Sequence, residues 1–279
     1  MKNPLFSIII PTLNEEKYLP RLLTDLSQQK EDDFEILIID GQSSDNTKKL
    51  ARSFGDKLPR LRFIVSKVRN LCSQRNTGAE EAKGTYLIFL DADIQIFTNY
   101  LEEIKKYIAK TSAPFITTYQ LPDVRNNFDI FLVQLANYTL ELLRLINRPM
   151  SPGYNFIVTK EAFMKAGKFD IHSTFSEDHE LSIRLYNAGY NISILRKRLL
   201  KWSFRRLKKS GRLPVIYKYA LATIYILISG NITDKNFSYP MGGAYFQQVL
   251  IHRNKDLKDE FGRYLTKIKK AAFKILLFD

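Results

Sequence analysis

The segment Tyr86-Leu87-Ile88-Phe89-Leu90-Asp91-Ala92-Asp93 joins an apolar run to a pair of carboxylates, and it decides the fold class. An apolar run of this length predicts a strand that is buried on both faces. Asp91 and Asp93 follow at its C-terminal end, where open α/β sheets bind their ligands. Mg²⁺ commonly binds through one or two carboxylates together with substrate phosphates. The segment therefore predicts a metal–diphosphate site, with an acidic pair that only caps the next helix as the alternative.

Strands and helices alternate around this segment, over roughly the first 120 residues. Buried strands are predicted at 6–10, 34–39 and 61–65, and helices at 19–26, 46–54 and 71–83. This alternation is typical of an α/β fold in which a mostly parallel sheet is covered by helices on both faces.

Polar clusters follow two further strands of the predicted sheet, at residues 11–16 and 40–47. Because the carboxyl ends of parallel strands meet at one edge, the three clusters together predict a shared ligand site. Each cluster also has a local alternative. Thr12 or Asn14 would cap the helix after the first strand, and Ser44 or Asp45 would cap the helix after the second.

The composition limits the classes of partner. The 279 residues include 43 basic and 29 acidic side chains, and the resulting charge of +14 favours anionic partners. A nucleic-acid-binding protein is the rival class. We expect no nucleic-acid partner, because the clustered carboxylates would repel a phosphate backbone and no nucleic-acid-binding motif is present.

The cellular setting is predicted from what the sequence lacks. Its one cysteine, Cys72, cannot form an internal disulfide, which fits a reducing cytoplasmic compartment, and its apolar neighbours predict a buried thiol. No secretory signal begins the sequence, and no apolar run reaches the ~20 residues that span a bilayer.

The pattern changes after residue 120. A long apolar helix is predicted at 128–145, a turn at 151–154, a strand at 155–159 and a helix from Glu177. We expect a domain at 1–200, with a nucleotide-binding half at 1–120 and an acceptor-binding half at 121–200. A basic, amphipathic helical extension is expected at 201–279.

Two features of that extension bear on membranes. Residues 215–228 are strongly apolar but too short to span, which predicts a buried or an interfacial helix. Near the C-terminus one helical stripe is apolar, with lysines mostly opposite, as in a helix on an anionic leaflet or one packed on the domain. The basic cluster within 196–212 favours peripheral membrane contact. The stripe consists of Phe261, Leu265, Ile268, Ala272 and Ile275.

Five motifs in this order resemble the family 2 inverting glycosyltransferases, whose nucleotide-sugar-binding fold is called GT-A. They lie at 11–15, 40–47, 75–78, 91–93 and 177–178, and the resemblance covers about residues 5 to 200. It implies a metal-dependent, inverting transfer of a sugar from a UDP- or GDP-sugar to a lipid-linked or glycan acceptor. The basic cluster and the amphipathic stripe add an expected peripheral place on the cytoplasmic face of the membrane. A catalytically inactive relative that binds sugar nucleotides is the alternative.

The resemblance also implies roles for individual residues. Asp178 would be the catalytic base, with Glu177 beside it, and Asp93 would bind Mn²⁺ or Mg²⁺ together with Asp91. A positioned base and stabilisation of the departing diphosphate are what such a displacement needs. The implied diphosphate or acceptor residues are Arg205, Arg206 and Gly153. The implied nucleotide-binding residues are Pro11, Thr12, Asn14, Glu15, Asp40, Ser43, Arg75 and Asp91.

The sequence departs from the family pattern at 201–206, Lys-Trp-Ser-Phe-Arg-Arg, where many members carry a histidine. A third protein ligand for the metal is therefore in doubt. Arg205 and Arg206 either hold the diphosphate or form a solvated basic face. Trp202 either stacks on a sugar or lipid or belongs to the core. His179 is expected to be a lone exposed histidine.

Overall fold

The computed structural model describes residues 3–124, 126–173 and 176–205. Its strands are β1 (Phe6–Thr12), β2 (Phe34–Asp40), β3 (Leu61–Val65), β4 (Tyr86–Phe89), β5 (Gln95–Ile96), β6 (Phe115–Pro122), β7 (Phe156–Thr159) and β8 (Ile192–Trp202). Its helices are α1 (Leu19–Ser27), α2 (Thr47–Arg52), α3 (Leu71–Glu81), α4 (Tyr100–Thr111), α5 (Asn127–Leu145), α6 (Lys160–Lys165) and α7 (Glu177–Asn187).

The eight strands form one sheet in the order β3-β2-β1-β4-β7-β6-β8-β5. β3, β2, β1 and β4 run parallel, as the sequence predicts. β7 runs antiparallel to both β4 and β6, and β6 and β8 are again parallel. The parallel half carries the predicted nucleotide site, and β7 turns the sheet into its second, mixed half.

Helices cover both faces of the sheet. Ile8 and Ile10 of β1 pack with α1 and α4, whereas Ile9 between them packs with α3 on the other face. α3 approaches β1 so closely that a Cβ on Gly78 would lie 2.4 Å from Ile9 Cγ2, so only glycine fits there. The prediction of helices on both faces is confirmed.

The second half of the described chain differs from the first in what it leaves exposed. α5 buries one side against β6, where the Asn137 side chain bonds both N–H and C=O of Gln120, and exposes large apolar side chains on the other. Among the described residues, no helix combines the length and hydropathy that a membrane span requires. Arg206 and the rest of the predicted extension, 206–279, lie outside the described residues.

Candidate active site

Asp40 closes the end of β2 with a set of short hydrogen bonds. Its Oδ1 accepts from Thr12 Oγ1 at 2.9 Å and from Ser43 Oγ at 2.5 Å, and its Oδ2 accepts from the Ser43 N–H at 2.8 Å. The Gln74 side-chain amide bridges the same strand ends by donating to the carbonyls of Thr12 and Ile39. These bonds fix the loops after β1 and β2 side by side.

The turn after β1 is locked onto the second loop. Asn14 has φ 55°, a conformation that asparagine adopts more readily than most residues. Its N–H donates to Ser43 Oγ at 2.8 Å, and its side-chain oxygen accepts from the Ser44 N–H at 2.8 Å. Thr12 and Asn14 therefore join the two loops, and the alternative that either caps α1 is excluded, because α1 has Tyr18 at its N-cap and no side-chain cap bond. Asp45 accepts from the N–H of Thr47, the first residue of α2, in line with a helix-end role.

Arg205 bridges two of the predicted site carboxylates. Its Nη1 and Nη2 donate to Glu15 at 2.9 and 2.7 Å, and its Nε lies 2.7 Å from Asp93 Oδ2. The guanidinium stacks over Tyr18, 4.6 Å from the ring centroid. Burial raises the pKa of Glu15, and the bonds from Arg205 oppose that rise. The structure thus places Arg205 at the site and not on a solvated face.

Arg75 makes a second bridge, inside the fold. Its side chain is 2% exposed; Nη1 donates to Glu177 Oε1 at 2.8 Å and Nη2 to Asp91 Oδ1 at 3.1 Å. Burial works against its charge, but the carboxylates of Asp91 and Glu177 raise its pKa above the ordinary value. Gly153 lies so close that a Cβ there would be 2.7 Å from Arg75 Nη2. Arg75 therefore links the end of β4 to the start of α7.

Asp178 lies beside this bridge and accepts its hydrogen bonds from backbone N–H groups. Its Oδ2 accepts from the Gly153 N–H at 2.7 Å and its Oδ1 from the His179 N–H at 2.9 Å. Burial and the neighbouring charge of Glu177 raise the pKa of Asp178 to about 7, against the opposing effect of Arg75. A carboxylate with such a pKa suits proton transfer near neutral pH. Glu177 itself faces Arg75, so the two adjacent acids have separate surroundings.

An aromatic cluster begins at Tyr154, the residue after Gly153. Tyr154 and Trp202 stack with 5.7 Å between ring centroids and 10° between planes, and Phe204 packs edge-on against Trp202 at 5.0 Å. Burial raises the pKa of Tyr154, and the charges of Asp178, Asp91 and Asp93 add to that rise. Tyr154 had no distinguishing signal in the sequence beyond its place in the 151–154 turn. The indole of Trp202 is partly buried and packs against the hydrophobic core, in line with the core alternative.

His179 corrects a sequence prediction. It is 1% exposed, not an exposed histidine, and burial lowers its pKa to about 4. It lies on α7 one residue after Asp178, with its side chain turned into the protein. Cys72 is buried, as predicted, and burial raises the pKa of its thiol.

The carboxylates fit a metal whose remaining ligands come from elsewhere. Among the described residues, no three histidine, cysteine or acidic side chains are grouped to hold a metal ion. Asp91 and Asp93 are two carboxylates at one strand end, which matches a Mg²⁺-type site completed by substrate phosphates. Asp91 is bonded by Arg75 and Asp93 by Arg205, so the cations of two arginines already neutralise the pair.

The sequence of this chain is similar to those of known glycosyltransferases. The chain matches the family described as Glycosyl transferase family 2 over residues 7–167. Glycosyltransferase AglE of Haloferax volcanii is 25% identical over 199 residues, covering 68% of this chain and 64% of AglE, so the alignment spans just under two thirds of that relative.

Solved structures show the same fold at low identity. Staphylococcus aureus TarS 1–349 in complex with UDP-GlcNAc has TM-score 0.63 at 18% identity, covering 95% of this chain and 81% of that one. The mannosyltransferase PcManGT from Pyrobaculum calidifontis, in complex with GDP-Man and Mn²⁺, has TM-score 0.62 at 18% identity, covering 80% and 65%. The predicted GT-A fold is confirmed.

Proposed function

The chain belongs to glycosyl transferase family 2, and we propose that it transfers a sugar from a nucleotide-diphosphate sugar to an acceptor hydroxyl with inversion. The observation that carries the proposal is the joining of four carboxylates, distant from one another in sequence, by two arginines. Arg205 connects Glu15 to Asp93, and Arg75 connects Asp91 to Glu177. Residues from five separate segments of the chain thus form one charged site at the carboxyl edge of the parallel strands.

Asp178 is the proposed base. It accepts the proton of the acceptor hydroxyl as that oxygen forms its bond to the anomeric carbon. The bond from that carbon to the donor phosphate breaks in the same step, and its electron pair leaves with the nucleoside diphosphate. The raised pKa of Asp178 makes the carboxylate basic enough to assist this transfer. Glu177, committed to Arg75, positions the start of α7 and keeps that pKa high.

The donor is proposed to lie across the loops after β1, β2 and β4. The nucleoside contacts would come from Pro11, Thr12, Glu15 and Asp40, with Asn14 and Ser43 fixing the two loops. TarS and PcManGT, bound to UDP-GlcNAc and to GDP-Man, support a UDP- or GDP-sugar. Arg205 lies where a guanidinium can turn from the carboxylates to a diphosphate.

A divalent cation is proposed as cofactor, held by Asp93 and Asp91. Bound there, Mn²⁺ or Mg²⁺ would neutralise charge on the departing diphosphate. To bind the metal, Asp93 would have to give up its ion pair with Arg205. The Mn²⁺ in the PcManGT complex supports this assignment.

The acceptor is proposed to be lipid-linked or another glycan, reached at the cytoplasmic face of a membrane. Arg196 and Lys197 pair with Glu141 and Glu103, so the charge for an anionic leaflet has to come from later basic residues, while the C-terminal stripe would supply apolar area. Each basic residue near such a surface contributes about 1 kcal/mol. Sedimentation with neutral and anionic vesicles tests this: binding should need anionic lipid and weaken with salt.

The activity itself is tested with the purified full chain, Mn²⁺, a panel of UDP- and GDP-sugars, and lipid and glycan acceptors. Release of nucleoside diphosphate that depends on acceptor, with inverted anomeric configuration by NMR, is the expected result. A chain that binds sugar nucleotides without transferring to any acceptor would point to the inactive relative. Tight RNA binding without nucleotide-sugar binding would overturn the proposal.

A further inference from the structure

The outer side of α5 carries a regular apolar stripe. Its six side chains are 47 to 68% exposed and recur at spacings of three and four residues along the whole helix. We call this set the outer stripe: Phe128, Phe131, Leu135, Tyr138, Leu142 and Leu145.

The core does not account for the outer stripe, because α5 packs on the sheet through its other side, with Val133, Asn137 and Leu140. A strict alternation of three and four is the pattern of a helix that packs against a second helix. Monomeric proteins seldom expose a contiguous apolar patch beyond a few hundred Å². At 1.5 Å per residue the stripe is about 26 Å long, which is enough for a partner helix of four to five turns.

The described chain ends beside this helix. Phe204 is 1% exposed and packs on Val133 of α5, and its N–H donates to Asp123 Oδ1 at 3.0 Å. The chain therefore leaves the described part next to the N-terminal half of α5, with 74 residues still to follow. Among them, 215–228 is the strongly apolar run, separated from Arg205 by nine residues. Nine extended residues reach about 30 Å, so the run can lie anywhere along the stripe.

Charge at the rim favours a partner from the same chain over an anionic bilayer. Glu141, which lies beside Leu142 on α5, pairs with Arg196 at 2.6 Å and with Arg144 at 3.5 Å. Two of the cations next to the stripe are thus already paired with protein. The outer stripe is exposed among the described residues, and the apolar run 215–228 follows in sequence soon after the point where the described chain ends beside α5.

We propose that residues 215–228 pack as a helix along the outer stripe of α5. Fourteen helical residues span about 21 Å and would cover most of it. The packing has a consequence that rests on the proposed function. The segment that carries Arg205 would be anchored on both sides, by Phe204 on Val133 and by the docked run, which holds Arg205 over Glu15 and Asp93.

Disulfide mapping in the full chain tests the packing. Tyr138→Cys, an exposed position, is combined with one cysteine at a time from 217 to 226 in a Cys72→Ala background, and each variant is oxidised at low concentration. The expected result is a cross-link within one chain, strong at positions three or four residues apart and weak between them. Its yield should not change on tenfold dilution. Lys49→Cys on the distant helix α2 is the matched control and should give no cross-link.

Two results overturn the proposal. Covalent dimers whose yield rises with protein concentration would assign the stripe to a second copy. The absence of any cross-link, with binding to vesicles that Leu135→Glu abolishes, would assign it to lipid.

Trypsin cleavage after Lys218 gives a second readout. We expect Leu135→Glu to speed that cleavage at least about tenfold and Lys49→Glu to leave it unchanged, and equal rates would contradict the packing. Neither readout involves a nucleotide or a sugar, so a failed packing is distinguishable from a failed function.

Discussion

Two arginines join carboxylates at the site, but their settings differ. Arg75 lies within α3, is 2% exposed, and is enclosed by Gly153 and Phe169. Arg205 is 12% exposed, stands at the end of the described chain, and rests on Tyr18. Arg75 is built into the packing, whereas Arg205 can leave without dismantling a core. The comparison indicates a fixed clamp under the proposed base, Asp178, and an exchangeable clamp over the proposed donor site.

Arg75→Met should break the fixed clamp and have the largest effect on stability. Removing one partner of a buried ion pair costs about 3–5 kcal/mol, because the remaining charges of Glu177 and Asp91 lose their partner. Urea denaturation measures the loss. Arg205→Met is the comparison variant and should lose less than half as much, since Glu15 already has a raised pKa and takes up a proton more readily. Equal losses would remove the distinction between the two arginines.

Asp178→Asn should separate chemistry from donor binding. A general base contributes about 10²–10⁴-fold, and we expect transfer to fall by roughly 10³. Donor affinity, measured by calorimetry with the nucleoside diphosphate and Mn²⁺, should stay within about twofold, because Asp178 bonds Gly153 and not the donor loops. A variant with lost donor affinity and normal turnover of bound donor would move Asp178 into the binding site.

Asp93→Asn should weaken donor binding at the exchangeable clamp. It removes a charge that pairs with Arg205 and that is proposed to bind the metal, so donor affinity with Mn²⁺ should fall at least tenfold, about 1.4 kcal/mol. Donor affinity in chelator should change much less, and the unfolding midpoint should stay close to that of the parent chain. Unchanged metal-dependent affinity in the variant would refute the metal assignment of Asp93.

The sequence predicted what is local and missed what joins distant segments. Apolar runs located the strands of the parallel half, and the strand-end clusters located Asp40, Asp91 and Asp93. The Arg75–Glu177 pair spans 102 residues and the Arg205–Glu15 pair 190, and no local pattern marks either. The reversed direction of β7 and the burial of His179 are tertiary outcomes of the same kind.

The motif resemblance predicted more of the candidate site residues than periodicity did. It grouped residues from five segments, which the fold brings to one edge of the sheet. It could not distinguish the two members of the acidic pair at 177–178, because adjacent helix positions look alike in sequence. The structure separates them through Arg75, which contacts Glu177 alone of the two by direct bonds.

The pH dependence of transfer gives the smallest and sharpest test of the two clamps. As the proposed base, Asp178 has to be ionised to accept a proton, and burial raises its pKa to about 7, so the rate should rise about tenfold per pH unit below that value and level off above it. Because the folded pKa is raised, protonated Asp178 favours the native state. Its contribution to stability should be lost as pH rises from the ordinary carboxyl range through 7.

Arg75 opposes the raised pKa of Asp178, so Arg75→Lys, which weakens the bonding around Glu177 but keeps a charge, should move the acid limb of the rate profile upward by roughly half a pH unit. Arg205→Lys should leave the limb in place, because Arg205 bonds Glu15 and Asp93 and not the residues around Asp178. Rate profiles of the three proteins at saturating donor decide the matter. A limb that moves with Arg205 and not with Arg75 would show that the base is coupled to the exchangeable clamp.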